Sequence, residues 1–109
     1  MANTFKNKVF DGGSASANSD MAVYTAPSAT TTVVIGLTLA NTSTAQITAD
    51  IKLNANGMVF LAKNIPIPAA SSFEYMAGNK IVMETGHSLI VQSDTANSLD
   101  TVASIMEIT

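Results

Sequence analysis

Large apolar side chains recur at every second position in two stretches of the first half of the chain, residues 31–39 and 47–53. A period of two places alternate side chains on opposite faces of a strand, whereas a helix needs a period of about 3.6. We therefore predict two strands joined by the polar turn Asn41–Thr44 as an antiparallel hairpin. The side chains predicted to face the core are Val33, Ile35, Leu37, Leu39, Ile47, Ile51 and Leu53. Gly36 interrupts the first stretch and indicates either a bulge or a close approach by another backbone.

Turn signals divide the rest of the chain into short strand candidates. Asn56-Gly57 is typical of a tight hairpin turn, and Gly78-Asn79 marks a second turn. Pro66 and Pro68 each remove a backbone donor, so the segment around them is predicted to be an edge strand or an extended connection. Together these signals give about eight short strands, which favours an all-β fold: an antiparallel β-sandwich of the jelly-roll or immunoglobulin-like kind.

Residues 1–20 have a different character from the rest. Phe5, Val9 and Phe10 come first, and small flexible residues then fill positions 11–20. We therefore predict an N-terminal arm and flexible linker over residues 1–20 and a β-sandwich domain over residues 21–109. The three apolar residues are candidate assembly contacts, because the linker is long enough to carry the arm onto a neighbouring subunit or a particle surface. The alternative is that the arm adds an edge strand to its own sandwich.

Charge and composition exclude several classes of function. The net charge is −3, only 12% of residues are charged, and just five are Lys or Arg, so the basic stripe of a nucleic-acid-binding protein is missing. No apolar run approaches the length that spans a membrane, and no apolar stretch follows the N-terminal lysines as in a secretory signal. Thr, Ser and Asn supply about three residues in ten. A neutral surface of this kind suits protein–protein packing, because few charges need to be desolvated.

The sequence offers little for catalysis or for binding a metal or cofactor. There is no cysteine and no tryptophan, and His87 is the only histidine. His87 lies in a predicted turn, and the adjacent Ser88 would point to the opposite face of a strand. The acidic residues are scattered rather than clustered as a calcium loop requires. We therefore predict a protein that is not an enzyme and binds no cofactor.

The body of the chain, from Val23 to Thr109, resembles small virion structural proteins of tailed bacteriophages. The segments that carry the resemblance are Tyr24–Ser28 with Thr31–Leu37, Leu39–Thr42 with Ile47–Leu53, Ile65–Ser72, and Lys80–Val91. In related sequences an acidic residue is expected after Gly86, where this chain has His87.

The resemblance implies a β-sandwich that is a repeated component of a virion and carries no catalytic residues. The leading hypothesis is a capsid decoration, or cement, protein that binds the particle in many copies. The expected partners are other copies of the chain and virion proteins such as the major capsid protein, and the expected location is the virion, assembled in the host cytoplasm. The alternatives are a tail, neck or fibre-associated structural component and a carbohydrate-binding attachment module. The latter would need exposed aromatic residues beside polar groups, and the candidates are Tyr24, Phe73 and Tyr75.

Overall fold

β-Strands make up most of the chain. The computed structural model describes residues 2–12, 16–75 and 80–109, and within these ranges it contains nine strands and no α-helix. The strands are β1 (Asn3–Phe10), β2 (Met21–Thr25), β3 (Thr31–Asn41), β4 (Ile47–Asn54), β5 (Met58–Ile67), β6 (Ser72–Tyr75), β7 (Ile81–Met83), β8 (Ser88–Ser93) and β9 (Leu99–Ile108). The predicted turn at Gly78-Asn79 lies outside the described residues. No helix in the described part of the chain is long and apolar enough to cross a membrane.

The strands form two antiparallel sheets. Sheet 1 has the order β1-β9-β3-β6, with β7 also paired to β3, and sheet 2 has the order β2-β8-β4-β5. The two sheets pack on a shared core whose fully buried members come from both: Val34, Leu37, Leu39, Met83, Leu99 and Ile105 from sheet 1, and Ile47, Ile51, Ile67, Leu89 and Val91 from sheet 2. The predicted antiparallel β-sandwich is therefore confirmed.

The predicted inward face of β3 is correct in its second half and wrong in its first. Leu37 and Leu39 are fully buried, but Val34 is buried in place of Val33, and Ile35 is 37% exposed. The pairing of β3 with β9 shifts between Val34 and Gly36. This bulge adds one residue to β3, which turns the side chains before it to the opposite face.

The predicted hairpin of β3 with β4 is also wrong, because the two strands lie in different sheets. The connection between them crosses the sandwich, and Asn41 holds it in place. Its Nδ2 lies 2.8 Å from the carbonyl oxygen of Ala45 and 3.0 Å from those of Ile67 and Pro68. Its Oδ1 accepts hydrogen bonds from the backbone N–H and the hydroxyl of Ser43. The buried amide thus joins the end of β3 in sheet 1 to the end of an edge strand of sheet 2.

The alternation predicted for residues 47–53 is confirmed. Ile47 and Ile51 are fully buried, and Leu53 is half-buried against the core. The strand forms a hairpin with β5 across the Asn56-Gly57 turn, in which Asn56 has a positive φ of 61°. The proline-bearing strand β5 is the edge of sheet 2, as predicted.

The N-terminal segment forms β1, which pairs with β9 from Asn3–Ile108 to Phe10–Thr101 and lies at the edge of sheet 1. Gly12 fixes the end of this strand: its N–H donates to Asp100 Oδ1 at 2.9 Å, and a Cβ at this position would lie 1.7 Å from the carbonyl oxygen of Leu99. β1 thus occupies its own sandwich, one of the two placements that the sequence allowed. The division into an arm over residues 1–20 and a domain over residues 21–109 stays a prediction.

Candidate assembly surface

The face of sheet 1 that points away from the core carries a row of apolar side chains. Phe5 of β1 lies opposite Met106 of β9, Met106 lies opposite Val33 of β3, and Val33 lies opposite Val82 of β7. The row therefore crosses four neighbouring strands. Its outward direction follows from the strand period, because Ile105 beside Met106 is fully buried in the core.

A second row runs parallel to the first. It consists of Val9, Val102, Thr38 and Glu74, which lie opposite one another on β1, β9, β3 and β6. On β1, β9 and β3, the positions between the two rows carry the small or uncharged groups of Asn7, Ser104 and Gly36. Among the described residues of the two rows, Glu74 at the far corner is the one charged member, and it accepts a hydrogen bond from the Thr38 hydroxyl.

Four of the six apolar members of the two rows are exposed to solvent, while Val33 and Met106 are half-buried. Phe5 is 73% exposed, Val9 64%, Val82 59% and Val102 42%. Single exposed apolar residues are common on proteins, but several of them grouped on one sheet face are typical of an interaction site. We call this patch the assembly face and define it as Phe5, Val9, Val33, Val82, Val102 and Met106.

The three predicted contact residues do not lie together. Phe5 and Val9 share the assembly face, whereas Phe10 lies on the opposite side of β1 and packs against the core of its own sandwich. The odd-numbered positions of β1 point outwards and the even-numbered ones inwards. Three members of the assembly face, Val82, Val102 and Met106, were not predicted from the sequence as contact residues, and Val33 was predicted to be in the core.

A buried polar cluster anchors β1 to the other strands. The hydroxyl of Tyr24 donates to Glu107 Oε2 at 2.6 Å and lies 2.7 Å from the hydroxyl of Thr32, while Lys6 Nζ lies 2.8 Å from Glu107 Oε1. The cluster joins β1, β2, β3 and β9, and so ties both sheets together. Lys6 is 45% exposed at its side chain, so its ion pair contributes less than the buried hydrogen bonds do.

The cluster raises the pKa of Tyr24 and lowers the pKa of Glu107. Burial, with help from the hydrogen bond to Glu107, raises the pKa of Tyr24 to about 12. The hydrogen bond from Lys6, followed by that from Tyr24, holds the pKa of Glu107 below its ordinary value. Both shifts favour the state in which Tyr24 donates its hydrogen bond to an ionised Glu107.

We expect the stability of the protein to fall on both sides of neutrality. Above pH 10 the unfolded chain loses the Tyr24 proton while the folded chain keeps it up to about pH 12, which removes on the order of 2–3 kcal/mol of stability. On the acid side, the stabilisation from ionised Glu107 is lost as the pH falls through its lowered folded pKa.

Urea unfolding between about pH 8 and pH 12 tests the alkaline part of this prediction. The Tyr24→Phe variant, which cannot ionise at this position, is the control and should show the smaller alkaline loss. Parallel stability curves for the two proteins would contradict the predicted role of Tyr24.

The residues considered for chemistry have structural roles here. His87 Nδ1 accepts a hydrogen bond from the N–H of Glu84 and so closes the turn before β8. Tyr24 is buried, and the Tyr75 hydroxyl donates to the carbonyl of Leu61. Within residues 2–12, 16–75 and 80–109, no cavity is found and no group of three or more His, Asp or Glu side chains is placed to hold a metal ion.

Comparison with known proteins gives similarity of structure only. No protein-family model matches the sequence, and no curated protein is significantly similar to it. Two solved structures, both crystal structures of pentameric capsid proteins isolated from metagenomic phage sequences, are similar to 92% of this chain at 18% identity, with TM-scores of 0.43 and 0.44. The chain spans 60% and 59% of the length of those two chains.

Proposed function

We propose that this chain is a non-catalytic structural protein of a tailed-phage virion, a capsid decoration protein that binds the particle in many copies. The observation that carries the proposal is the assembly face. It is the outer face of sheet 1, with two mostly apolar rows and few charges, and among the described residues nothing packs over it.

The chemistry of the assembly face suits repeated contacts between proteins. Apolar and small polar groups lose little hydration energy on contact, whereas charged groups must be paired when water is removed. The face also lies on a sheet whose neighbouring strands are paired with one another, so little conformational entropy is lost when it docks. The proposed partners are other copies of the chain and the major capsid protein, within a virion assembled in the host cytoplasm.

A carbohydrate-binding function is less well supported. Sugar rings stack on exposed aromatic faces, but Tyr24 is buried and the Tyr75 hydroxyl is bonded within the sandwich. Phe73 is only partly exposed and packs against the core. Phe60 is 49% exposed, but two lysine ammonium groups already lie over its ring, where a sugar would have to stack. Lys63 Nζ is 4.3 Å and Lys52 Nζ 5.5 Å from the ring centre.

The number of copies per particle tests the proposed function. We expect quantitative mass spectrometry of purified virions from the phage that encodes the chain to find this protein in hundreds of copies, in a fixed ratio to the major capsid protein. A dozen copies or fewer would support the tail or neck alternative instead. Absence from washed, intact virions would contradict a structural role altogether.

A further inference from the structure

We infer that the partner covering the assembly face is a second copy of this chain, bound by a two-fold axis that runs parallel to the strands. This inference rests on the proposed function and specifies the partner of the same surface. It follows from the order of the side chains in the two rows, from their charges and from the area that the face offers.

The apolar row is complementary to itself. Its order across the sheet is Phe5, Met106, Val33 and Val82. A two-fold axis between β9 and β3, lying in the plane of contact, reverses this order in the second copy. Phe5 then stands over Val82 of the other copy, and Met106 stands over Val33. Such a contact uses the same patch twice, as two-fold symmetric dimers do.

The charges permit this arrangement. The chain has a net charge of −3, so two copies repel each other unless their contact surfaces are neutral. The same axis places Glu74 of one copy near Val9 of the other and not near a second acidic group. Glu74 is exposed at the corner of the sheet and already accepts the Thr38 hydrogen bond, so its carboxylate lies at the hydrated rim of the contact rather than in its centre. The lysines of β1 point to the inner side of sheet 1, where Lys6 pairs with Glu107.

The area of the face is sufficient for a specific but weak contact. β9 has ten residues, so it is about 33 Å long, and four strands extend about 19 Å across the sheet. The outer side of these four strands therefore covers about 600 Å², and the two rows of the assembly face, four residues apart along β9, occupy its middle part. Two copies that pack over the whole outer side would bury about 1,200 Å², which is the lower limit for specific interfaces. We expect a dimer that dissociates on dilution and becomes stable when many copies are held together on a particle.

Sedimentation of the isolated full-length protein between about 1 µM and 1 mM tests the inference without a particle. We expect a concentration-dependent dimer. Phe5→Lys and Val82→Glu should each weaken it at least about tenfold, because each buries an unpaired charge at the contact. Mixing the two single variants should restore dimers, since the introduced lysine of one copy then faces the introduced glutamate of the other at one of the two symmetric contacts.

Met58→Lys is the matched control. Met58 is 45% exposed at the β4–β5 hairpin of the other sheet, so this variant should dimerise like the unchanged protein. A monomer at the highest concentration would overturn the inference, and so would a dimer that withstands both substitutions. Loss of the dimer without rescue on mixing would overturn the proposed two-fold geometry. The copy number in virions is measured separately, so failure here leaves the test of the proposed function intact.

Discussion

Replacing Leu37 by alanine should lower the free energy of unfolding by about 3–5 kcal/mol, whereas replacing Ile35 should change it by less than about 1 kcal/mol. The two side chains are isomers and lie two residues apart on β3. Leu37 is 1% exposed, so its loss leaves a cavity, while Ile35 is 37% exposed and its site fills with water. Urea unfolding of the two variants and the parent protein measures both effects.

Comparing the stabilities of the Leu37 and Ile35 variants tests the bulge in β3 directly. Without the register shift between Val34 and Gly36, Ile35 and Leu37 would lie on one face of the strand. Replacing either by alanine would then lower the free energy of unfolding by a similar amount. Equal losses of stability would therefore contradict the observed register. A cost for Val34→Ala that exceeds the cost for Val33→Ala would give independent support, because only Val34 is buried.

Replacing Asn41 by alanine should cost about 3–5 kcal/mol, because several buried backbone groups lose their hydrogen-bonding partner at once. Asn41 is 3% exposed, and its amide contacts three carbonyl oxygens and Ser43. The Asn41→Asp variant keeps the oxygen that accepts from Ser43 but loses the N–H donors. It should therefore be nearly as unstable as the alanine variant.

Asn54 provides the control for this prediction. It ends β4 and is exposed, so Asn54→Ala should alter stability by no more than about 0.5 kcal/mol. Thermal unfolding of the three variants and the parent protein gives the comparison. If Asn41→Ala unfolds at the same temperature as Asn54→Ala, the amide does not hold the crossing between the sheets.

The two strands of the predicted hairpin show which patterns determine a register. In β4, Thr48, Asp50 and Lys52 mark one face as polar, so only one orientation buries the apolar side chains, and the prediction was correct. In β3, apolar residues occupy successive positions, from Val33 to Ile35, and both orientations bury a β-branched side chain. Local alternation could not decide between them.

Contacts with other strands determine which side chains are buried in the first half of β3. Thr32 is fully buried although it is polar, because its hydroxyl lies within hydrogen-bonding distance of Tyr24 and the cluster continues to Glu107 at the other end of the chain. Such a partner cannot be found from the sequence near Thr32. The same limit explains why β3 and β4 were predicted as a hairpin: the short polar connection fits both a hairpin and a crossing between sheets.

Part of the assembly face could be predicted from the sequence. The spacing of Phe5 and Val9 places both on one face of a strand, and both were predicted as contact residues. Val82 and Met106 join them only through the pairing of β7 and β9 with β3. Phe10, next to Val9, necessarily points the other way on a strand, and it packs on the core.

The proposed function requires the assembly face to be covered in a virion, and cysteine labelling measures this most directly. The chain has no cysteine, so Val82→Cys introduces a single thiol on the assembly face, where the side chain is 59% exposed in the isolated subunit. We expect a maleimide to label this thiol rapidly in dilute protein and at least about tenfold more slowly in intact virions, as burial at an interface requires. Equal labelling rates in the two states would contradict the claim.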